Sequence, residues 1–195
     1  MIEEVTLRGK HVLLEPLRLE HSSELWPSAK DVEIWRFMSM KVRTLDDLAR
    51  WISRRIESVR DGTALAFLQR DIGTGRGFGS TSLFDIDLEN RRAEIGYTWI
   101  GASHRRTVSN TEAKLLLFTH AFETLHMSRV QIKTASENLP ARKSIERLGA
   151  KYEGLLRNYL VYEDGTAHDR VFYSVIDSEW PTVKKRLERL VKPRP

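Results

Sequence analysis

The sequence predicts one α/β or α+β domain with a mixed β-sheet and helices on both of its faces. Two observations lead to this. Apolar strand-like segments occur both as hairpins and separated by helices, and 195 residues suit one domain. Hydrophobic residues make up 41% of the chain and charged residues 30%, as in globular proteins. The chain has no cysteine, which excludes disulfides and thiolate chemistry.

The sequence pattern of the first half of the chain predicts a strand, two helices and three antiparallel strands. The apolar run that ends at Pro16 predicts an edge strand, and Thr44 followed by Asp46 and Asp47 predicts a helix start. Glycines alternate from Gly73 to Gly79 without a following helix, which favours a hairpin over a phosphate loop. The predicted segments are 11–16, 21–29, a helix from residue 44, 64–69, 78–85 and 93–100.

The second half alternates helices with strands and ends in a hairpin and a helix. Leu115, Phe118 and Phe122 form one apolar stripe, which predicts a long helix buried against the sheet. Gly149 is a typical helix-ending glycine, and Pro181 is compatible with a first helical turn. The predicted segments are 110–125, 130–134, 139–148, 152–162, 170–176 and 178–191.

Two segments could carry chemistry. Arg105 and Arg106 precede small polar residues that open helix 110–125, where unpaired amides and the helix dipole favour an anion such as a pyrophosphate. An ordinary helix cap with exposed arginines is the alternative. Further on, Asn138, Ala141 and Ser144 lie three residues apart along one side of a helix start. Asn138 could contact an amide-bearing ligand or simply cap the helix.

These two segments, in this order, resemble motifs A and B of the GCN5-related N-acetyltransferase (GNAT) superfamily. Residues 105–110 (RRTVSN) occupy motif A, Gln/Arg-x-x-Gly-x-Gly/Ala, with Val108 and Asn110 at the two glycine positions. The N-x-E-A-K sequence at 110–114 resembles the ribosomal-protein-alanine acetyltransferase branch. Asn138-x-x-Ala141 with Gly149 matches motif B, and the resemblance covers about residues 92–181.

The resemblance implies a sheet whose two central parallel strands splay apart to bind acetyl-CoA. It implies a negative φ or strain at Val108, because the family has a glycine there. It implies cofactor contacts along the end of one strand, the motif A loop and the start of the motif B helix. The expected cofactor-binding residues are Trp99, Ile100, Arg105, Arg106, Thr107, Val108, Ser109, Asn110, Thr111, Asn138, Ala141 and Ser144.

The resemblance also implies direct acetyl transfer to a primary amine. Glu94 aligns with a strand glutamate that serves as general base in histone-acetylating members, although it could instead be a strand-edge charge. The tyrosine that often donates a proton is replaced by Ile145, which leaves Tyr159, Tyr162 or Ser144 as substitutes by proximity, with Tyr159 as the candidate. The histidine spacing implies no metal.

The expected function is therefore an acetyl-CoA-dependent N-acetyltransferase with a protein N-terminal amine or a small-molecule amine as acceptor. The alternative is a catalytically degenerate module that binds CoA or nucleic acid. The net charge of +5 suits anionic partners, but aromatic and basic residues do not interleave as nucleic-acid binding would favour. Acidic residues in the variable segment would favour cationic acceptors, or form a solvated face: Glu24, Asp31, Glu33, Asp46 and Asp47.

The expected layout is one domain over residues 1–195, with an acetyl-CoA-binding core at 92–176, acceptor-side helices at 20–60 and a C-terminal helix at 178–191. A homodimer is plausible because strands after motif B often pair between subunits in this family. No signal sequence or membrane span is expected, and the expected location is cytoplasmic.

Overall fold

The protein, described here for residues 2–192 from a computed structural model, has an eight-stranded sheet with helices on both faces. In chain order its strands and helices are β1 (Leu7–Arg8), β2 (Val12–Pro16), α1 (His21–Ala29), α2 (Leu45–Arg60), β3 (Leu65–Asp71), β4 (Gly77–Asp87), β5 (Arg92–Ile100), α3 (Val108–Thr119), β6 (Arg129–Ala135), α4 (Leu139–Leu148), β7 (Lys151–Val161), β8 (Ala167–Ile176) and α5 (Trp180–Val191). The strand order is β1-β2-β3-β4-β5-β6-β8-β7.

The sheet is antiparallel except where β5 lies beside β6. These two strands pair in parallel only from Arg92 with Arg129 to Glu94 with Gln131. Beyond Glu94, β5 stays paired with β4 alone in the described part of the chain, so its other edge has no strand partner. This confirms the predicted mixed sheet with splayed central parallel strands.

A β-bulge in β5 follows the point of separation. Gly96 pairs with Ser82 and Trp99 with Ser80, so Tyr97 and Thr98 together oppose the single residue Thr81. Tyr97 has a φ of 48°, which an extra residue in a strand accommodates. Because of the extra residue, the Tyr97 ring packs against Phe84, while the Thr98 hydroxyl lies 2.8 Å from that of Thr81.

Each face of the sheet has its own hydrophobic core. On the face covered by α3, α4 and α5, called the α3 face, strand residues such as Ile95 and Val130 pack with Leu117. On the opposite face, called the α2 face, α1 and α2 pack over Trp99 and neighbouring strands. Since strand side chains alternate between faces, Glu94, the neighbour of Ile95, points to the α2 face.

The structure corrects three expectations, one about a strand near the N-terminus and two about the bounds of the helix that follows motif A. β2 is not an edge strand, because β1 pairs with it on the outside. The long predicted helix begins earlier, at Val108, and its α-helical part ends at Thr119. One π turn, His120–Thr124, follows and is closed by a bond from the Leu125 amide to the His120 carbonyl.

The glycine-rich segment between β3 and β4 is a hairpin, as predicted. Gly75 has a φ of 70° in the turn. A Cβ built on Gly79 would lie 2.3 Å from the Trp99 carbonyl oxygen, so only glycine lets β4 approach β5 this closely. These glycines therefore shape the sheet beside the separation of β5 and β6.

Candidate active site

Glu94 lies at the last paired position of β5, where β6 begins to separate from it. Its side chain is 3% exposed, and its Oε2 atom accepts hydrogen bonds from Gln131 Nε2 at 2.7 Å and Lys133 Nζ at 2.6 Å. Among residues 2–192, no hydrogen-bond donor contacts Oε1. One carboxylate oxygen is thus fixed, while the other is available to an incoming group.

Burial raises the pKa of Glu94, while the Lys133 ammonium opposes that rise. A raised pKa suits a carboxylate that must collect a proton near neutral pH. The ion pair with Lys133 favours the charged form of Glu94 against the effect of burial. This arrangement differs from the strand-edge alternative, since neither Arg91 nor Arg92 pairs with Glu94; Arg92 pairs with Asp87 instead.

Lys133 is surrounded by aromatic rings. Its Nζ atom lies 5.3 Å from the ring centre of Phe84, 5.5 Å from that of Tyr159 and 6.0 Å from that of Phe172. Tyr159, on β7, is 44% exposed and packs edge-on against Phe172. The two catalytic candidates, Glu94 and Tyr159, are therefore brought to one patch of the α2 face, with Lys133 between them.

The motif A loop leads from β5 into α3. Arg106 has a φ of 62°, and Thr107 caps the helix: its Oγ1 accepts from the Ser109 amide and its hydroxyl donates to the His104 carbonyl. Val108 is the first helical residue and has a negative φ. The glycine of the motif is dispensable at this position because the positive φ occurs two residues earlier.

The two arginines of the loop have different surroundings. The guanidinium of Arg105 donates to Asp31 at 2.7 Å and so ties the loop to the segment between α1 and α2. Arg106 is exposed, with no ion-pair partner within residues 2–192. We conclude that Arg106 has the freer positive charge beside the α3 N-terminus.

The strand end before this loop can contact a ligand through its backbone. The Trp99 ring is packed between Trp35 and Trp51 in the α2-face core, with ring centres 5.5 and 6.4 Å away. Its side chain is structural, and the same is true of Thr111, whose hydroxyl accepts from Arg147. The free edge of β5 at Trp99 and Ile100 offers backbone groups to an extended ligand.

These features fit acetyl-CoA. The unpaired amides at the N-terminus of α3 suit a pyrophosphate, and the β5 edge suits the amide-bearing pantetheine arm. In addition, the Oδ1 atom of Asn110 is buried and has no hydrogen-bond partner among the described residues. A buried acceptor without a donor is costly, so a ligand donor at this position would satisfy it.

The motif B residues form the start of α4. Asn138 caps the helix, with its Oδ1 accepting from the Ala141 amide at 3.2 Å. The capping interpretation of Asn138 is thus confirmed, and its amide nitrogen stays available for a ligand. Ala141 and Ser144 are half-buried on the first turns. Ile145, at the position where relatives often have tyrosine, is buried in the α3-face core and cannot supply a proton.

The N-x-E-A-K sequence has a structural role in α3. Glu112 is buried and accepts three backbone amides from the turn between β1 and β2, those of Lys10, His11 and Val12. Lys114 is buried on the α3 face and donates to the hydroxyls of Thr98 and Thr81 at 2.6 and 3.3 Å. Burial without a carboxylate partner lowers the pKa of Lys114 to about 7.

The acidic residues of segment 20–60 do not form a wall facing the patch. Glu24 pairs with Arg70 and accepts the Gly77 amide, Asp31 pairs with Arg105, and Asp47 caps α2. Glu33 pairs with Arg36, whereas Asp46 is exposed with no ion-pair partner within residues 2–192. Four of the five predicted acidic residues therefore have partners in the fold, which weakens the argument for cationic acceptors.

Sequence reasoning missed Lys133 and Arg55. Lys133 and Gln131 alternate with the buried Val130 and Ile132, so a polar face on a central strand was the available signal. Arg55 lies one turn after the buried Trp51 on the inner side of α2, where a basic residue is unusual.

Two further observations concern metal binding and membrane crossing. Within residues 2–192 no group of three His, Asp or Glu side chains is placed to hold a metal ion. Within the same range, no helix has the length and apolar character needed to cross a bilayer.

Comparisons with known proteins identify a family that this geometry fits. Residues 11–151 match the family model described as "Acetyltransferase (GNAT) domain". The chain is 34% identical over 182 residues to "Putative ribosomal N-acetyltransferase YdaF" of Bacillus subtilis (strain 168), covering 91% of this chain and 94% of that protein.

Solved structures of acetyltransferases have the same fold as this chain. A GCN5-related N-acetyltransferase from Brucella melitensis superposes with a TM-score of 0.91 at 28% identity, covering 98% of this chain and 87% of that one. The Microcin C7 self immunity acetyltransferase MccE, solved in complex with acetyl-CoA and AMP, shares the fold at 22% identity, with a TM-score of 0.76 and coverages of 86% and 93%. This chain therefore belongs to the GNAT family of N-acetyltransferases.

Proposed function

We propose that this enzyme transfers an acetyl group from acetyl-CoA directly to a primary amine that binds on the α2 face beside Glu94. Members of the GNAT family use acetyl-CoA as donor, and the acceptor is a protein N-terminal amine or a small-molecule amine. The observation that carries the proposal is the free Oε1 of a buried, ion-paired glutamate at the separation of two parallel strands.

Acetyl-CoA would bind along the free edge of β5, the loop 105–110 and the start of α4, and it supplies an activated acetyl thioester there. The α3 N-terminus and Arg106 would hold the pyrophosphate. Asn138 would contact the amide-bearing arm through its free amide nitrogen. Segment 92–176 thus forms the cofactor-binding core of a single domain, and α1 and α2, within 20–60, form the acceptor side.

Glu94 acts as the general base in this proposal. Its Oε1 accepts a proton from the acceptor's ammonium group, while Gln131 and Lys133 hold Oε2 and keep the carboxylate ionised. A backbone amide near Trp99 or Ile100 donates to the carbonyl oxygen as negative charge develops on it. Tyr159 donates the proton that the departing thiolate needs, because its hydroxyl-bearing ring is the exposed one of the rings around Lys133.

The first experiment is a thermal shift with acetyl-CoA, followed by detection of free CoA thiol with a panel of amines. Ligand at 100 times its dissociation constant adds about 2.7 kcal/mol, which raises the melting temperature by roughly 5–10 °C for a chain of this size. A shift with acetyl-CoA and thiol release with an amine support the proposal. A shift without release from any amine contradicts it.

The second candidate is a CoA-binding module without catalysis. Ile145 at the usual tyrosine position favours this candidate, since it is buried and cannot donate a proton. Turnover of acetyl-CoA with any amine would eliminate it. Nucleic-acid binding is not part of the proposal; a steep loss of DNA affinity with salt would be needed to revive it.

We include a cytoplasmic location and a homodimer in the proposal. β7 is the outer strand of the sheet and has exposed apolar side chains at Tyr152, Leu155, Leu156 and Val161, which suit pairing with a second copy. Light scattering in solution tests the dimer, and cell fractionation tests the location. A monomer at high concentration would exclude the pairing.

A further inference from the structure

A small cleft of about 70 Å³ opens on the α2 face beside the bulge in β5. It lies between α2, the start of β3 and strands β4 and β5. Its lining includes Arg55, Ser58, Ser82, Phe84, Asp85 and Tyr97. Its floor is the bulge itself, which places the Tyr97 ring on this face.

Two donor groups in the cleft have no partner within residues 2–192. The guanidinium of Arg55 lies 3.6 Å from the ring centre of Tyr97, and its buried Nε has no acceptor and no carboxylate within ion-pair distance. Ser82 is 1% exposed, and its Oγ also lacks a partner. Buried donors without acceptors are costly, so the cleft is an incomplete site that lacks an acceptor group.

The Phe84 ring lies between the cleft and Glu94. The Tyr97 and Phe84 ring centres are 4.6 Å apart. A Cβ built on Gly96 would lie 2.8 Å from the Phe84 ring and 3.6 Å from Glu94 Oε1, so Phe84 borders both. The cleft and Glu94 are therefore neighbours on the α2 face, with Phe84 as their shared wall.

Arg55 is the cation that lines the cleft, and within residues 2–192 it has no ion-pair partner. Asp85 also lines the cleft, but it is exposed to solvent and does not pair with Arg55. Lys133, which contacts the Phe84 ring, is already paired with Glu94. A planar guanidinium stacked on an aromatic ring binds carboxylates and phosphates through two parallel hydrogen bonds.

We propose that this cleft binds an anionic group of the acceptor, so that the preferred acceptor is an amine with a carboxylate or phosphate several bonds from its nitrogen. Arg55 donates to the anion from α2, and Ser82 donates from β4. This inference rests on the proposed acetyl transfer and adds the chemical class of the acceptor to it. It runs opposite to the cationic acceptors that the acidic segment would have favoured.

Matched pairs of acceptors test the proposal. The dipeptide amide Ala-Glu-NH2 is compared with Ala-Gln-NH2, and phosphoethanolamine with ethanolamine, by initial rates of CoA release. The wild-type enzyme is expected to show a kcat/KM at least about tenfold higher for the anionic member of one pair. The pair that shows it distinguishes carboxylate from phosphate.

Variants in α2 test whether the preference for anionic acceptors depends on Arg55. Arg55→Ala is expected to reduce the preference to within about threefold, mainly by raising KM for the anionic acceptor, because the charge-assisted hydrogen bonds are lost. Arg54→Ala is the matched control, since Arg54 is exposed on the same helix and away from the cleft. Arg55→Lys, which keeps the charge, and Ser82→Ala should each retain part of the preference.

Three outcomes decide between the proposals. The anionic cleft is overturned if the wild type has equal kcat/KM values for both members of each pair, or if Arg55→Ala lowers kcat/KM equally for both members. Either result leaves acetyl transfer intact. Should no amine be acetylated, acetyl transfer fails. Calorimetric titration of the same four compounds then tests the cleft alone: tighter binding of an anionic member, weakened in Arg55→Ala, supports it, and equal binding overturns it.

Discussion

Two lysines, one buried and one half-buried, lie on opposite faces of the same sheet and differ in their partners. Lys114, on the α3 face, donates only to the neutral hydroxyls of Thr81 and Thr98, and burial lowers its pKa to about 7. Lys133, on the α2 face, lies 2.6 Å from Glu94 among aromatic rings. The first contact joins a helix to the sheet, whereas the second lowers the pKa of a buried carboxylate against the effect of burial. The contrast separates the face that supports the fold from the face where we propose that acetyl transfer occurs.

The largest expected effect is that of Glu94→Gln. General-base catalysis contributes about 10²–10⁴-fold, so kcat/KM should fall at least about 100-fold near pH 7. The deficit should shrink as pH rises toward the pKa of the acceptor amine, because an unprotonated amine needs no base. Glu188→Gln is the control, as Glu188 is exposed on α5, on the opposite face of the sheet. Wild-type rates at all pH values would remove Glu94 from the mechanism.

Lys133→Met should shift the acid limb of the pH–rate profile. The Lys133 charge lowers the pKa of Glu94 against the effect of burial, so its loss raises that pKa. The limb should therefore move to higher pH, so the rate at a fixed pH on that limb should fall several-fold. Lys185→Met, an exposed change on α5, provides the comparison. An unmoved limb with a merely lower plateau would show that Lys133 does not set the charge of Glu94.

Arg106→Ala should weaken CoA binding more than Arg105→Ala. Arg106 is exposed beside the α3 N-terminus, whereas Arg105 already pairs with Asp31. A charge-assisted phosphate contact makes a loss of about three- to tenfold in affinity reasonable for Arg106. Calorimetric titration with CoA measures both. If neither variant changes the affinity, the pyrophosphate binds elsewhere.

The smallest effect should be on stability, from Lys114→Met. The folded-state pKa of about 7 lies below the ordinary 10.5, so the cost of charging Lys114 is fully present below pH 7 and fades as pH rises to 10.5. Replacement by Met should therefore raise the melting temperature by about 2–6 °C at pH 6 and by less at pH 9. A lower melting temperature at pH 6 would mean that the threonine hydrogen bonds outweigh the burial cost.

Much of this fold follows from local patterns. The glycine hairpin, the helix at Thr44 and the motif B helix capped by Asn138 each depend on residues close in sequence, and each is confirmed. The position of Glu94 was also predictable from its motif. Lys133 and Arg55 were not, because they come from β6 and α2 and meet β5 only through strand register and helix packing. The bulge at Tyr97 had no sequence signal, since a tyrosine with positive φ is uncommon.

The unpaired edge of β5 has a consequence for inhibitor design. Its backbone groups from Ile95 onward form a ready template for any extended chain with alternating donors and acceptors. A short peptidomimetic could add to this edge as an extra strand and block the enzyme without resembling a nucleotide. Selectivity would then come from an acidic substituent directed at Arg55, a contact in the proposed acceptor cleft rather than in the proposed cofactor loop.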